Sequence, residues 1–96
     1  MPVFAVNYVY GSDTETRMAH RPAHRSWQSE LHESGVVLAS GPVEGPEGPG
    51  GLLVFRAADR AEVESLLGED PYASIDVIDS VTIREWTPVF GPFSES

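Results

Sequence analysis

His24 and Asp70 are the two residues whose types could do chemistry together. Histidine titrates near neutral pH and can take a proton from a hydroxyl or an acidic C–H. A carboxylate beside it would orient the ring and stabilise its charged form. Arg21 lies three residues before His24 and could offer its guanidinium to a developing anion. Tyr8, Tyr10, Trp27 and Tyr72 could wall an aromatic or lactone substrate, and Ser40 could add a hydroxyl. Each has a plainer reading. His24 follows Ala23 and precedes Trp27, as a histidine at the edge of a helix's apolar face would. Asp70 precedes Pro71 and is a natural N-cap for a short turn over Tyr72 to Ser74, which leaves one oxygen for His24. Ser40 reads as a turn residue. It lacks the strained elbow of a nucleophilic serine, so a Ser-His-Asp hydrolase is poorly supported.

Other chemistries fit less well. His20 and His24 have i, i+4 spacing, but His20 reads as preceding the helix and His32 falls on another face. The chain has no cysteine. Zinc sites need three or four placed ligands, so no metal is expected, and no other bound cofactor. The run Gly45-Pro46-Glu47-Gly48-Pro49-Gly50-Gly51 lacks the lysine and the following helix of a phosphate loop, and its glutamate would repel phosphate.

The charge balance narrows the partners. Six arginines and no lysine face fifteen acidic residues, for a net charge of -9 over 96 residues. Nucleic acid and anionic membranes are excluded as expectations. No apolar run approaches the ~20 residues of a membrane helix. The N-terminus has no basic segment before its apolar run and reads as the start of the folded chain. The absence of cysteine suits a reducing cytoplasm.

The elements that must position these residues follow from pattern. Val3 to Tyr10 is apolar on both alternating faces except at Asn7, the signature of a strand covered on both sides. Gly11 to His20 reads as a long loop. Arg21-Pro22 opens a helix whose face carries Ala23, Trp27 and Leu31, and Gly35 ends it. A second strand, Val36 to Ala39, stops at Ser40-Gly41-Pro42. A hairpin loop over Val43 to Gly51 leads to a third strand, Leu52 to Phe55. Asp59 and Glu62 have capping-box spacing for a second helix, which breaks between Gly68 and Pro71. Val77 to Thr87 is the fourth strand, and Pro88 to Ser96 an irregular tail.

The order β-α-β-β-α-β predicts an α+β, ferredoxin-like domain over residues 1–96, a four-stranded antiparallel sheet with both helices on one face. Following chain direction, one edge collects Tyr8, Tyr10, Arg21, His24, Ser40-Gly41 and Asp70-Pro71-Tyr72. The other sheet face has no helix, and a second subunit packed sheet to sheet is the simplest cover.

Arg21-x-x-His24-x-x-Trp27, Gly35 before a strand ending in Ser40-Gly41-Pro42, Gly50-Gly51-Leu52-Leu53-Val54, Asp70-Pro71-Tyr72 and Ile83-Arg84-Glu85-Trp86 occur in an order that resembles the YciI-like, or YCII-related, family. The resemblance covers about residues 3 to 87; tyrosine is more usual in that family at the position of Trp27. It implies a ferredoxin-like fold paired into a dimeric α/β barrel, with a His–Asp dyad carried here by His24 and Asp70. The expected function is a cytoplasmic, homodimeric, cofactor-independent enzyme moving protons on a small aromatic or lactone substrate, with isomerase, lyase or dehalogenase-like chemistry. The rivals are a non-catalytic ligand-binding or accessory module and a protein-interaction module. A cavity touching His24 would favour the enzyme.

Overall fold

In the computed structural model, β1 spans Val3–Tyr10 and forms an inner strand of the sheet. Residues 1–94 are described; Glu95 and Ser96, the end of the predicted tail, lie outside the described residues. The remaining elements are α1 (Thr14–Glu33), β2 (Val37–Val43), β3 (Gly50–Arg56), α2 (Arg60–Leu67), a 3-10 turn (Pro71–Ser74) and β4 (Ile78–Trp86). Strand order is β2-β3-β1-β4, with every neighbouring pair antiparallel. This is the ferredoxin-like order predicted.

Period-two alternation sends Phe4, Val6 and Tyr8 of β1 toward the helices. They join Val37, Leu53, Phe55, Val63 and Leu67 in one buried cluster. Val6 lies opposite Leu53 on one side and Ile83 on the other, so three strands meet on the same face of the sheet. The opposite face carries Ala5, Asn7, Leu52 and Trp86, with no helix over it.

The first helix differs most from expectation. It begins at Thr14, not at Arg21, and the predicted loop Gly11–His20 shrinks to a few residues. Asp13 caps it by accepting the Thr16 backbone N–H at 3.1 Å. Pro22 sits inside the helix, two turns from its start. An interior proline forfeits one backbone hydrogen bond and costs ~3 kcal/mol in a helix. Here Pro22 and Met18, the residue whose carbonyl loses its donor, are both exposed, so water can serve that carbonyl. Ala23 is also exposed, and the inward side of α1 carries His24 and Leu31 instead. At the other end the expectation holds. Gly35 has φ +84°, its N–H donates to His32, and the N–H of Val36 donates to Leu31. That is a Schellman ending, which favours glycine.

Two strand limits also move. β2 runs through Ser40-Gly41-Pro42 to Val43. It is an edge strand, where a proline lacking its N–H is tolerated. β3 starts two residues early, at Gly50, and a Cβ there would run into the carbonyl oxygen of Tyr8. The second helix begins as expected, with Asp59 accepting the N–H of Glu62 at 2.9 Å.

Candidate active site

The ends of β1, β2 and β3, the middle of α1 and the turn after α2 converge on a cleft of about 470 Å³. At its inner end lie His24 and Asp70, the buried charged or strongly polar side chains among the described residues. His24 Nδ1 and Asp70 Oδ1 are 2.7 Å apart. A carboxylate can only accept, so Nδ1 carries the proton and Nε2 presents its lone pair.

Asp70 does several things at once. As N-cap of the 3-10 turn it accepts the Tyr72 backbone N–H through Oδ1, at 3.0 Å. Its other oxygen accepts the Tyr8 hydroxyl at 2.7 Å. Capping and partnership with His24 therefore coexist. A carboxylate buried this deeply is tolerable because both oxygens are hydrogen-bonded. Burial, followed by the Asp70 charge and hydrogen bond, pushes the Tyr8 phenol far above its ordinary range. Tyr8 thus stays a neutral donor to the carboxylate.

The His24 ring is held on its faces as well as its edges. Tyr72 stacks on it at 3.9 Å between centroids and 8° between planes. Trp27 lies 6.0 Å from it and 6.4 Å from Phe55. At the outer edge, the Gln28 side-chain amide donates to His24 Nε2 at 2.8 Å. Ser40 Oγ in turn donates to Gln28 Oε1, also at 2.8 Å. One continuous chain of hydrogen bonds therefore runs from the edge strand to the core: Ser40, Gln28, His24, Asp70, Tyr8.

Of the eight residues singled out from sequence, Tyr10, Arg21, His24, Ser40 and Tyr72 line the cleft. Asp70 lies behind His24. Tyr8 and Trp27 do not line the cleft. Tyr8 points into the core beneath Asp70, and Trp27 packs over Phe55, so the sequence reading of these two as substrate walls is corrected. Tyr8 instead donates to Asp70, and Trp27 lies beside the His24 ring. Tyr10 packs edge-on to Tyr72 at 5.7 Å, and its phenol is pushed up to about 12, chiefly by burial and then by Tyr72. Gly51 faces this ring, and a Cβ there would meet the Tyr10 hydroxyl at 2.8 Å.

The polar and charged cleft residues missed were Arg17, Arg25, Gln28 and Glu44. Gln28 could have been found from its i+4 spacing to His24, which puts both on one side of a helix. Arg17 was hidden by the misplaced helix start. Among the described residues no group of three or more potential ligands could hold a metal ion. No helix among them is long and apolar enough to cross a membrane.

Comparison with known proteins fits this architecture. The YCII-related domain matches residues 1–87. Protein YciI of Escherichia coli is 31% identical over 84 residues, covering 79% of this chain and 86% of that protein. Protein YciI of Shigella flexneri matches at the same identity and coverage. Among solved structures, the 5-chloro-2-hydroxyhydroquinone dehydrochlorinase of Burkholderia phenoliruptrix, in complex with 2,5-dihydroxybenzoquinone, superposes with a TM-score of 0.77. Its sequence identity is 18%, with 88% of this chain and 93% of that chain covered.

Proposed function

The chain belongs to the YCII-related domain family, and from that premise we propose that it is a cofactor-independent enzyme in which His24 acts as a general base on a small aromatic or lactone substrate. The observation that carries this reading is the orientation of His24. Its Nδ1–H is committed to buried Asp70, while its Nε2 is on the cleft side of the ring, where the Gln28 side-chain amide donates to it. A substrate hydroxyl would take the place of the Gln28 amide and pass its proton to Nε2. The imidazolium so formed has the Asp70 carboxylate 2.7 Å from its other nitrogen. The Tyr8 hydroxyl and the Tyr72 N–H both donate to Asp70 and hold its carboxylate in place against the ring. Arg21 faces the anion that develops, and Tyr10 and Tyr72 bound the ring.

The fold is shared with an enzyme named for removing HCl from a chlorinated hydroxyhydroquinone. Such an elimination needs a base to take the proton while chloride leaves with the bonding pair. A single placed histidine suffices for that. In the same reading the protein works in the cytoplasm as a homodimer, paired through the sheet face that bears no helix.

The test uses 5-chloro-2-hydroxyhydroquinone and unchlorinated hydroxyquinols in deuterated buffer, with chloride release and ring C–H exchange followed together. His24→Ala is expected to stay folded and lose roughly 10²–10⁴-fold in rate. Asp70→Asn should retain part of the rate, since the amide still caps the turn but no longer stabilises the imidazolium. No His24-dependent reaction of any of these hydroxyquinols would sink the catalytic reading. One observation favours a rival: the Gln28 amide already satisfies Nε2, as it would in a non-catalytic ligand binder. Gln28→Ala separates them, because an enzyme keeps or gains rate when the lone pair is freed.

A further inference from the structure

Three of the chain's six arginines, Arg17, Arg21 and Arg25, line this one cleft. They recur at i, i+4 and i+8, so successive turns of α1 present them on neighbouring positions, where like charges repel. In a chain with fifteen carboxylates each would be expected to find an acidic partner. Among the described residues none does; the arginine–carboxylate ion pair present is Arg60–Glu64, on α2. What Arg17 and Arg21 meet is the sulfur of Met18, at 4.0 and 3.8 Å, a soft acceptor that neutralises nothing. Arg17 Nε is buried without a hydrogen-bond partner, while its guanidinium lies over the Tyr10 ring at 4.5 Å. Arg56 Nε is in the same state but sits at the end of β3, outside the cleft. Among the described residues, the carboxylate on the cleft wall is that of Glu44, exposed on the β2–β3 hairpin.

A buried donor without a partner and three adjacent like charges both cost stability. An anion in the cleft would relieve both. We propose that the cleft takes a small planar acid, its carboxylate held by Arg17, Arg21 and Arg25, its ring against Tyr10 and Tyr72, and a ring hydroxyl directed at His24 Nε2. This rests on the reading of the cleft as a substrate site and adds the class of substrate: an anion, not a neutral phenol. The guanidinium fork suits a carboxylate geometrically. On a surface otherwise strongly negative, these arginines are also what would draw an acid to the cleft.

Isothermal titration calorimetry on the full chain tests this with 2,5-dihydroxybenzoate and its uncharged counterpart 2,5-dihydroxybenzamide. The acid is expected to bind at least roughly tenfold more tightly, about 1.4 kcal/mol. The preference should shrink as added salt screens the charges. Arg17→Gln and Arg21→Gln should each remove most of the preference, weakening the acid far more than the amide. Thermal melts verify that the variants fold, and exposed Arg25→Gln serves if Arg17→Gln does not. Equal affinity for the two probes, a preference that survives the arginine substitutions, or no binding of either at millimolar concentration overturns the proposal. His24→Ala keeps this inference apart from the catalytic reading. Acid preference in both wild type and His24→Ala, with no His24-dependent reaction in wild type, upholds the anion site and defeats the base. His24-dependent reaction of a neutral hydroxyquinol without any acid preference does the reverse.

Discussion

The two faces of the sheet solve opposite problems. Toward the helices, polar groups run from the edge strand into the interior as one hydrogen-bonded chain: Ser40, Gln28, His24, Asp70 and Tyr8. On the other face Val3 and Val54 are buried, but larger apolar groups stay accessible: Leu52 is half-buried, and Trp86 is 40% exposed and met edge-on by Phe93 of the tail. Burying the polar chain is tolerable only while all its members remain paired. The bare face has no such interdependence and gains from any surface that covers it. Substitutions on the first should therefore cost folding stability within one chain. Substitutions on the second should change how many chains associate.

Asp70→Ala should have the largest effect on stability. It leaves the His24 Nδ1–H, the Tyr8 hydroxyl and the Tyr72 N–H without their acceptor, all inside the core. Breaking a buried pair from one side typically costs ~3–5 kcal/mol. Urea melts of wild type and variant measure it. A loss no larger than that of an ordinary helix cap, ~0.5–2 kcal/mol, would mean that the network adds nothing beyond the cap.

Leu52→Glu probes the other face. Leu52 lies opposite Asn7 on the side without helices. A stable interface needs upward of ~1,000 Å², which a four-stranded sheet can supply. Wild type should scatter light as about twice the 10.4 kDa chain, and the variant as one chain with near-normal melting. A wild-type monomer at micromolar concentration would leave the face uncovered and break the comparison.

The two regions also differed in how far sequence revealed them. The sheet was readable because period-two burial and the Asp59 and Gly35 helix boundaries are local signals. The dyad was readable because Pro71 marks Asp70 as a cap and topology sends that turn to the end of β1. The wall of the cleft was not. Reading Arg21-Pro22 as the opening of a helix hid the two turns before it, and with them Arg17. That proline is tolerated because it faces water, a tertiary fact absent from the local pattern. Ser40-Gly41-Pro42 looked like a strand stop for a similar reason: whether a proline ends a strand depends on whether that strand is at an edge. Gln28 carries no charge and titrates nowhere, so it has meaning only beside His24.

Tyr8→Phe should have a moderate effect with a characteristic pH dependence. It removes the donor to Asp70 Oδ2, a hydrogen bond to a charged group, for about 1.5–3 kcal/mol. The Tyr8 phenol is raised above its ordinary 10.0 by burial first and by Asp70 second. The folded state thus holds the proton more tightly than the unfolded chain. That contribution is complete below about pH 10 and is lost as pH rises toward the folded value. The stability gap between wild type and Tyr8→Phe should narrow in alkali. A gap that widens would mean that Tyr8 does not stay protonated.

The smallest effect belongs to Asp13, and it bears on the region sequence misread. Asp13 accepts the Thr16 N–H through its side chain and the Arg17 N–H through its carbonyl, at 3.1 and 3.2 Å. Its carboxyl is exposed, and hydrogen bonds from the Thr16 side chain first and the Thr16 backbone N–H second hold it below its ordinary value of 3.8. The capping contribution is therefore present above that value and is lost as pH falls through the lowered one. Asp13→Ala should leave global stability nearly unchanged but fray the first turn, so amide exchange at Thr16 and Arg17 speeds up several-fold while His24 stays protected. The sheet and the dyad do not depend on this cap, but the arginines do. Fraying swings Arg17 off the Tyr10 ring, and affinity for 2,5-dihydroxybenzoate should fall with it, while Asp13→Asn, which can still accept the N–H, should restore both. Unchanged exchange at Arg17 in Asp13→Ala would show that packing of its guanidinium on Tyr10, and not the cap, holds the start of α1 in place.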